Sequence, residues 1–186
     1  MREKKNENLK FAWRIIAAHT IAYFIAGVFA MNLFHYDELF ANNTFSLLMR
    51  PITEPIVVLG GGALQIIRGV IMALVLLPLR KVFTEEKYGF LKLGLLILGL
   101  SVLSTFAAAT GSVEGFIYTK LSFTEHIIGY FEAILWISLF VGILWTFYKF
   151  EKKAINVTAI VLVILIVLMS IAGYFAEDLS ALQNNQ

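Results

Sequence analysis

The chain has 186 residues, of which 59% are hydrophobic and only 15% are charged, and its formal net charge is +2. Soluble domains are nearer half apolar and a quarter charged, so this composition argues against a soluble globular protein. The sequence contains no cysteine, which excludes disulfides, thiolate metal sites and a cysteine nucleophile.

Five apolar blocks are each long enough to cross a bilayer as a helix. A hydrocarbon core about 30 Å thick needs about 20 apolar residues. A helix satisfies its own backbone hydrogen bonds in hydrocarbon, whereas an open sheet edge does not. The sequence therefore predicts an all-α, polytopic membrane protein, a five-transmembrane-helix bundle. We expect a single transmembrane domain over 1–186, with helices at about residues 11–34, 56–79, 88–110, 124–148 and 154–175.

The distribution of Lys and Arg predicts the orientation of these helices. Most basic residues flank the start of the first helix, the loop between the second and third, or the turn between the fourth and fifth. The opposite side has only Arg50 and Lys120, and Arg68 lies within a helix. Because cytoplasmic loops carry the Lys/Arg excess, we expect the N-terminus inside and the C-terminus outside. The expected location is the plasma membrane, as the cytoplasmic membrane of a bacterium or archaeon.

Small residues in the second and third helices indicate a possible helix break and a helix-packing face. Gly60, Gly61 and Gly62 weaken the second helix, and a break there would direct the amides of residues 63 and 64 at a cavity, as in discontinuous transporter helices. Close helix packing is the alternative interpretation. In the third helix small residues recur every four positions and predict a packing face, formed by Ser101, Thr105 and Ala109.

The fourth helix begins with a recognisable capping pattern, whereas the fifth is notable for its apolar composition. Ser122 and Glu125 form a capping-box pattern at the start of the fourth helix. The fifth helix is apolar all round. We therefore expect it to face membrane lipids, or to contact a partner membrane subunit or a second copy of the chain.

Polar residues of three helices fall at a similar depth. Arg68 lies at the centre of the second helix, and His19 and Glu132 each lie about 5 Å from the midplane at 1.5 Å rise per residue. Gln65 lies one turn before Arg68, and Tyr23 lies one turn after His19. The sequence therefore predicts a polar midplane core between helices one, two and four.

Arg68 needs a partner because an arginine at a helix centre costs at least about 2.5–3.5 kcal/mol on insertion. Glu132 is the only acid at comparable depth, so we predict an Arg68–Glu132 ion pair, direct or through water, with Gln65 filling the remaining hydrogen bonds. One interpretation is a structural pair that fixes which helices touch. The other is a ligand site or proton path, extended inward by His19 and Tyr23.

The outer connections contain a second group of candidates, His35, Glu114 and His126. If they converge around an open cavity, they support an intramembrane enzyme acting on a lipid or envelope substrate. No HxxxH or HExxH spacing is present, so the sequence predicts no metal site. No second histidine lies at the depth of His19 to hold a haem, and no cofactor is predicted. The chain shows no basic, aromatic-interleaved surface, so we expect no nucleic acid partner.

Three functional hypotheses follow from these observations. The first is a small binding or transport component, or an accessory subunit of a larger membrane complex, with its site in the polar core. The second is the intramembrane enzyme, for which the sequence offers no catalytic motif. The third is a purely structural membrane-complex subunit docked through the fifth helix.

Overall fold

The computed structural model describes residues 2–41, 44–47, 49–105 and 107–184, and every regular element in these ranges is helical. Two short 3₁₀ helices, Thr44–Leu47 and Leu77–Leu79, and a π-helical segment, Leu98–Leu103, accompany the α-helices. In chain order the α-helices are α1 (Arg2–Phe34), α2 (Tyr36–Ala41), α3 (Pro55–Gly61), α4 (Gln65–Leu76), α5 (Arg80–Thr84), α6 (Gly89–Ile97), α7 (Val113–Tyr118), α8 (Phe123–Phe150) and α9 (Lys153–Asn184).

Three of these helices are long and apolar enough to span a membrane. They are Asn6–Phe34 in α1, all of α8, and Lys153–Ala176 in α9. The bent pair Pro55–Gly61 and Gln65–Thr84 makes a fourth span if it is counted as one segment, with a bend of 43°. The apolar stretch Gly89–Leu103 is shorter. The helices support a membrane protein of the predicted all-α class.

α1 is the central helix, and it packs against α4, α8 and α9. Its buried face has an alanine at every fourth position, and none of these alanines is more than 1% exposed: Ala18, Ala22, Ala26 and Ala30. Small side chains let neighbouring helix backbones approach closely. Where α4 crosses α1, a Cβ atom added to Gly69 would lie only 3.1 Å from the Cα of Ile16.

The predicted third helix ends earlier than expected. It was expected to continue to residue 110, but the last helical residue is Leu103, at the end of the π-helical segment. Both the backbone N–H and the hydroxyl of Ser104 donate to the carbonyl oxygen of Gly99. A serine hydroxyl that bonds the backbone competes with the helical ladder, and here it closes the last turn. Thr105 and Ala109 lie beyond the helix, so the predicted packing face is wrong.

The predicted second helix is broken directly after the glycine triplet. α3 ends at Gly61, and α4 begins at Gln65. The N–H of Leu64 still reaches the carbonyl oxygen of Leu59, at 3.2 Å. The break agrees with the prediction, but this amide is satisfied within the chain and is not directed at a cavity.

The hydroxyl of Ser170 in α9 fills the gap between α3 and α4. Ser170 Oγ accepts a hydrogen bond from the N–H of Ala63 at 3.1 Å, and it lies 2.9 Å and 3.1 Å from the carbonyl oxygens of Val58 and Leu59. Only a glycine fits at position 62, because a Cβ atom there would lie 2.8 Å from the Cβ of Ser170. Hydrogen bonds at the break therefore connect α9 to the two halves of the bent helix.

We predict that Ser170→Ala lowers the free energy of unfolding by about 1–3 kcal/mol, because the amide and carbonyl groups at the break lose their buried partner. The matched control is Ser138→Ala: Ser138 is exposed on α8 and makes no side-chain hydrogen bond with the residues that the structure describes. Thermal unfolding of both purified variants in the same detergent measures the difference. Equal stability of the two variants would show that the break does not depend on Ser170.

Candidate ligand-binding site

A cavity of about 200 Å³ lies among α1, α4, α8, the π-helical segment and the irregular chain that precedes α7. Three predicted site residues, Tyr23, Arg68 and Glu132, contribute to its wall, whereas His19 and Gln65 do not. The polar and aromatic residues that line it are Tyr23, Arg68, Ser101, Thr110, Glu132 and Trp136. Three of the five residues of the predicted polar core therefore line a cavity, and the π-helical segment of the predicted third helix contributes to its wall as well.

Arg68 lies against aromatic rings rather than against a carboxylate. Its guanidinium carbon is 5.0 Å from the ring centre of Trp136 and 5.5 Å from that of Tyr23. Both distances are within the range of a cation–π interaction. Within the described ranges no Asp or Glu oxygen lies within 4 Å of this guanidinium, and the side chain is exposed at the cavity. The direct Arg68–Glu132 ion pair that the sequence predicts is therefore not formed, although both residues line one cavity.

Glu132 has a different partner, which sequence reasoning missed. The phenol of Tyr36 donates a hydrogen bond of 2.5 Å to Glu132 Oε2. His35, with a φ of 48°, forms a turn between α1 and α2, and Tyr36 directly after it stacks on Phe34 and on Phe40. Burial, and then the neighbouring Glu132, raise the pKa of Tyr36 above its usual range, so the phenol stays protonated and remains a donor. Helical depth alone gave no signal for this contact, because Tyr36 follows the end of the first helix.

His19 and Gln65 form a hydrogen bond between α1 and α4 beside the cavity. His19 Nε2 lies 3.0 Å from Gln65 Oε1, and Gln65 Nε2 donates to the carbonyl oxygen of Gly60 at 2.7 Å. The second bond fixes the amide orientation, so His19 is the donor through Nε2–H. Its ring packs edge-on against Trp136 at 5.5 Å. Gln65 therefore bonds His19, and the expectation that it fills the hydrogen bonds of Arg68 is wrong.

The outer-face candidates do not gather at the cavity. His126 is buried, its Nδ1 accepts from the N–H of Gly111 at 2.9 Å, and its ring stacks on Phe116 at 3.9 Å. The cavity lining includes neither this residue nor His35 or Glu114. Over the ranges that the structure describes, no three His, Asp or Glu side chains form a group that could hold a metal ion. His126 thus holds the loop before α7 against α8.

Ser122 and Glu125 start α8 in the predicted way. The side chain of Ser122 accepts from the N–H of Glu125, and the carboxylate of Glu125 accepts from the N–H of Ser122. The capping box is confirmed. It fixes the beginning of the helix that presents Glu132 and Trp136 to the cavity.

Trp136 is the second site residue that sequence reasoning missed. It lines the cavity, it is only 6% exposed, and its indole Nε1–H has no acceptor among the residues that the structure describes. The spacing from Glu132 is four residues, which places both side chains on one face of α8. That spacing is the signal that could have identified Trp136.

The cavity thus presents more donors than its own acceptors satisfy. Arg68 supplies N–H groups and Thr110 supplies a hydroxyl, whereas the hydroxyl of Ser101 already donates to the carbonyl oxygen of Ile97 at 2.6 Å. A water molecule takes about 30 Å³, so the volume accommodates several waters or a ligand of a few heavy atoms. Comparison of the chain with models of known protein families, with characterised proteins and with solved structures gives no match.

We predict that Gln65→Leu lowers the free energy of unfolding by about 1–3 kcal/mol, because it leaves the buried His19 N–H without an acceptor. The double variant His19→Phe/Gln65→Leu should recover part of this loss, since both polar partners are then replaced by apolar groups. Denaturation midpoints of both single variants, Gln65→Leu and His19→Phe, of the double variant and of the parent chain measure the effect. If the double variant is as unstable as the sum of the single changes, His19 and Gln65 do not act as a pair.

Proposed function

We propose that the chain is a small binding or transport component of the plasma membrane, and that its cavity holds a small molecule through an anionic group. The observation that carries the proposal is the exposed Arg68 guanidinium, which faces the cavity with no carboxylate within 4 Å in the described part of the chain. Intramembrane ionisable residues pair with each other or mark substrate pathways. An arginine without an internal partner favours the second role.

The chemistry of the wall supports an oxygen-rich anionic group. A guanidinium presents N–H donors in a planar fork that matches a carboxylate or a phosphate. Trp136 contributes the face of its ring to the wall beside the guanidinium. The rings of Trp136 and Tyr23 hold the guanidinium through cation–π contacts. The arginine is thus positioned before any ligand arrives, which lowers the entropy cost of binding.

The proposal includes five membrane crossings with the N-terminus on the cytoplasmic side. The third crossing would begin with Gly89–Leu103, which covers about 22 Å at 1.5 Å per residue. The irregular backbone that follows, including Ala109 and Thr110, lines the cavity. Irregular backbone at membrane depth is tolerated where it lines a polar cavity. The Lys/Arg distribution supports the orientation.

A structural subunit is the alternative, and cysteine labelling separates the two. The sequence has no cysteine, so Ser101→Cys introduces a single reactive thiol at the cavity wall. We expect an anionic methanethiosulfonate reagent to react faster than a cationic one, and Arg68→Gln to abolish this preference. For charges about 8 Å apart and an effective dielectric constant of about 40, Coulomb's law gives about 1 kcal/mol, which speeds the anionic reagent and slows the cationic one by about fivefold each.

The matched control is Ser104→Cys, which places a thiol on an exposed residue outside the cavity lining. This thiol should show no dependence on Arg68. A charge preference at Ser101→Cys that survives Arg68→Gln would contradict the proposal. So would a thiol at that position that neither reagent reaches.

A further inference from the structure

A second, larger cavity lies between α8 and α9. Its volume is about 600 Å³, and Ile21 of α1 contributes to its wall. The two helices are joined by residues 151–152 alone, yet they hardly contact each other, because α9 packs on α3 and α1 instead. The result is a groove that opens between two helices long and apolar enough to span a membrane.

Small residues make this groove wide and its wall apolar. Ser138, Gly142 and Thr146 recur every four residues on α8, and Ala154 and Thr158 face them from α9. A Cβ atom added to Gly142 would meet nothing within 4 Å. The hydroxyl of Thr146 donates to the carbonyl oxygen of Gly142 at 2.8 Å, so its hydrogen is already used. The groove therefore fits a hydrocarbon chain better than a polar ligand.

Positive charge is concentrated in the turn where α8 joins α9, next to the groove lining but not part of it, and Lys149 also lines a separate cavity with residues of α5 and α6. Three exposed lysines of the turn have no carboxylate within 4 Å among the described residues: Lys149, Lys152 and Lys153. The acid in this turn, Glu151, is already matched by Lys10 at 2.7 Å and by Arg14 at 3.5 Å. The hydrogen bond from Lys10 lowers the pKa of Glu151, so that carboxylate stays ionised and engaged. The lysines thus lack a counter-charge from the turn.

Trp145 lies between the apolar part of the groove and the lysines of the turn. It lines the groove, it is half-exposed, and Lys149 Nζ lies 5.9 Å from its ring centre. Tryptophan is enriched at the membrane–water interface, where its polar N–H and apolar ring are both satisfied. The lysines of the turn are therefore at headgroup depth, with the apolar part of the groove extending toward the bilayer interior.

We propose that the groove between α8 and α9 binds one anionic phospholipid, with an acyl chain between the helices and the phosphate at Lys149, Lys152 and Lys153. Basic pockets between transmembrane helices are sites for anionic headgroups. The charge complementarity selects such a lipid over a zwitterionic one. This site is separate from the Arg68 cavity and does not rest on the function proposed for it.

Quenching of Trp145 by brominated lipids tests the proposal. The variant Trp13→Phe/Trp136→Phe retains Trp145 as its only tryptophan. In nanodiscs of phosphatidylcholine containing a small fraction of brominated phosphatidylglycerol, we expect stronger quenching than with the same fraction of brominated phosphatidylcholine. The parent chain, purified in mild detergent, should also retain phosphatidylglycerol in native mass spectrometry. This second measurement needs no tryptophan substitution.

Two sets of variants test separately whether the lysines select the headgroup and whether the groove binds the acyl chain. Replacing Lys149, Lys152 and Lys153 by Gln should remove the preference for phosphatidylglycerol, with about fivefold weaker binding for each lysine. Gly142→Leu fills the groove and should reduce quenching by both brominated lipids. Gly27→Leu is the matched control, because a Cβ atom there also meets nothing within 4 Å and the residue does not line the groove.

Each other result overturns the proposal. Equal quenching by both lipids, unchanged in the lysine variant, would show an ordinary lipid boundary without a selective site. Loss of quenching together with a dimer that Gly142→Leu dissociates would show that a second copy occupies the groove. Equal effects of Gly142→Leu and Gly27→Leu would show that the groove is not where the lipid binds.

Discussion

The alanine face of α1 is the constraint on which the rest of the bundle depends. Helices in a membrane gain no hydrophobic driving force from leaving lipid, so close van der Waals packing and interhelical hydrogen bonds must hold them together. The alanines bring α4 and α8 close to the α1 backbone, and Gly69 allows the closest approach. Close approach then lets short polar side chains reach each other: His19, one position after Ala18, meets Gln65 directly.

Several buried polar side chains connect helices, whereas Arg68 is exposed at the candidate site. Ser170 bonds the groups freed by the glycine break, and Gln65 bonds both His19 and Gly60, so each of these polar side chains joins two chain segments. Arg68 and the indole of Trp136 have no such acceptor among the described residues. A polar group inside a membrane protein is costly when it is unpaired. Buried donors without a hydrogen-bond acceptor also occur away from this cavity, on the guanidinium of Arg14, so the feature that distinguishes Arg68 is its exposure at the cavity.

The sequence predicted the elements that depend on local chemistry. The apolar composition predicted the all-helical class, the glycine triplet predicted a possible break, and the pair Ser122 and Glu125 predicted the start of α8. Three of the five residues expected at a similar helical depth, Tyr23, Arg68 and Glu132, line one cavity, whereas His19 and Gln65 do not. These inferences need no knowledge of how helices rotate or cross.

The contacts that were missed all depend on rotation, crossing or a turn of the chain. Tyr36 reaches Glu132 only because the chain turns at His35, and Ser170 reaches the break only because α9 packs on α3. Depth sets which residues share a level but not which side chains face each other across it. Gln65 lies one turn from Arg68 along the sequence, yet it turns toward His19. The early end of the third helix was missed because its apolar sequence continues past the π-helical segment.

The separation of Arg68 from Glu132 has a consequence for the charge of a ligand. Tyr36 already donates to Glu132 Oε2, while Arg68 is held on the rings of Tyr23 and Trp136. The cavity therefore has a cation on one part of its wall and a carboxyl group on another, without the direct contact that would neutralise both. A ligand with an acceptor at one end and a donor at the other satisfies both groups at once. Under the function proposed above, a simple inorganic anion would satisfy only Arg68, whereas a small organic molecule that carries both kinds of group would satisfy Arg68 and Glu132.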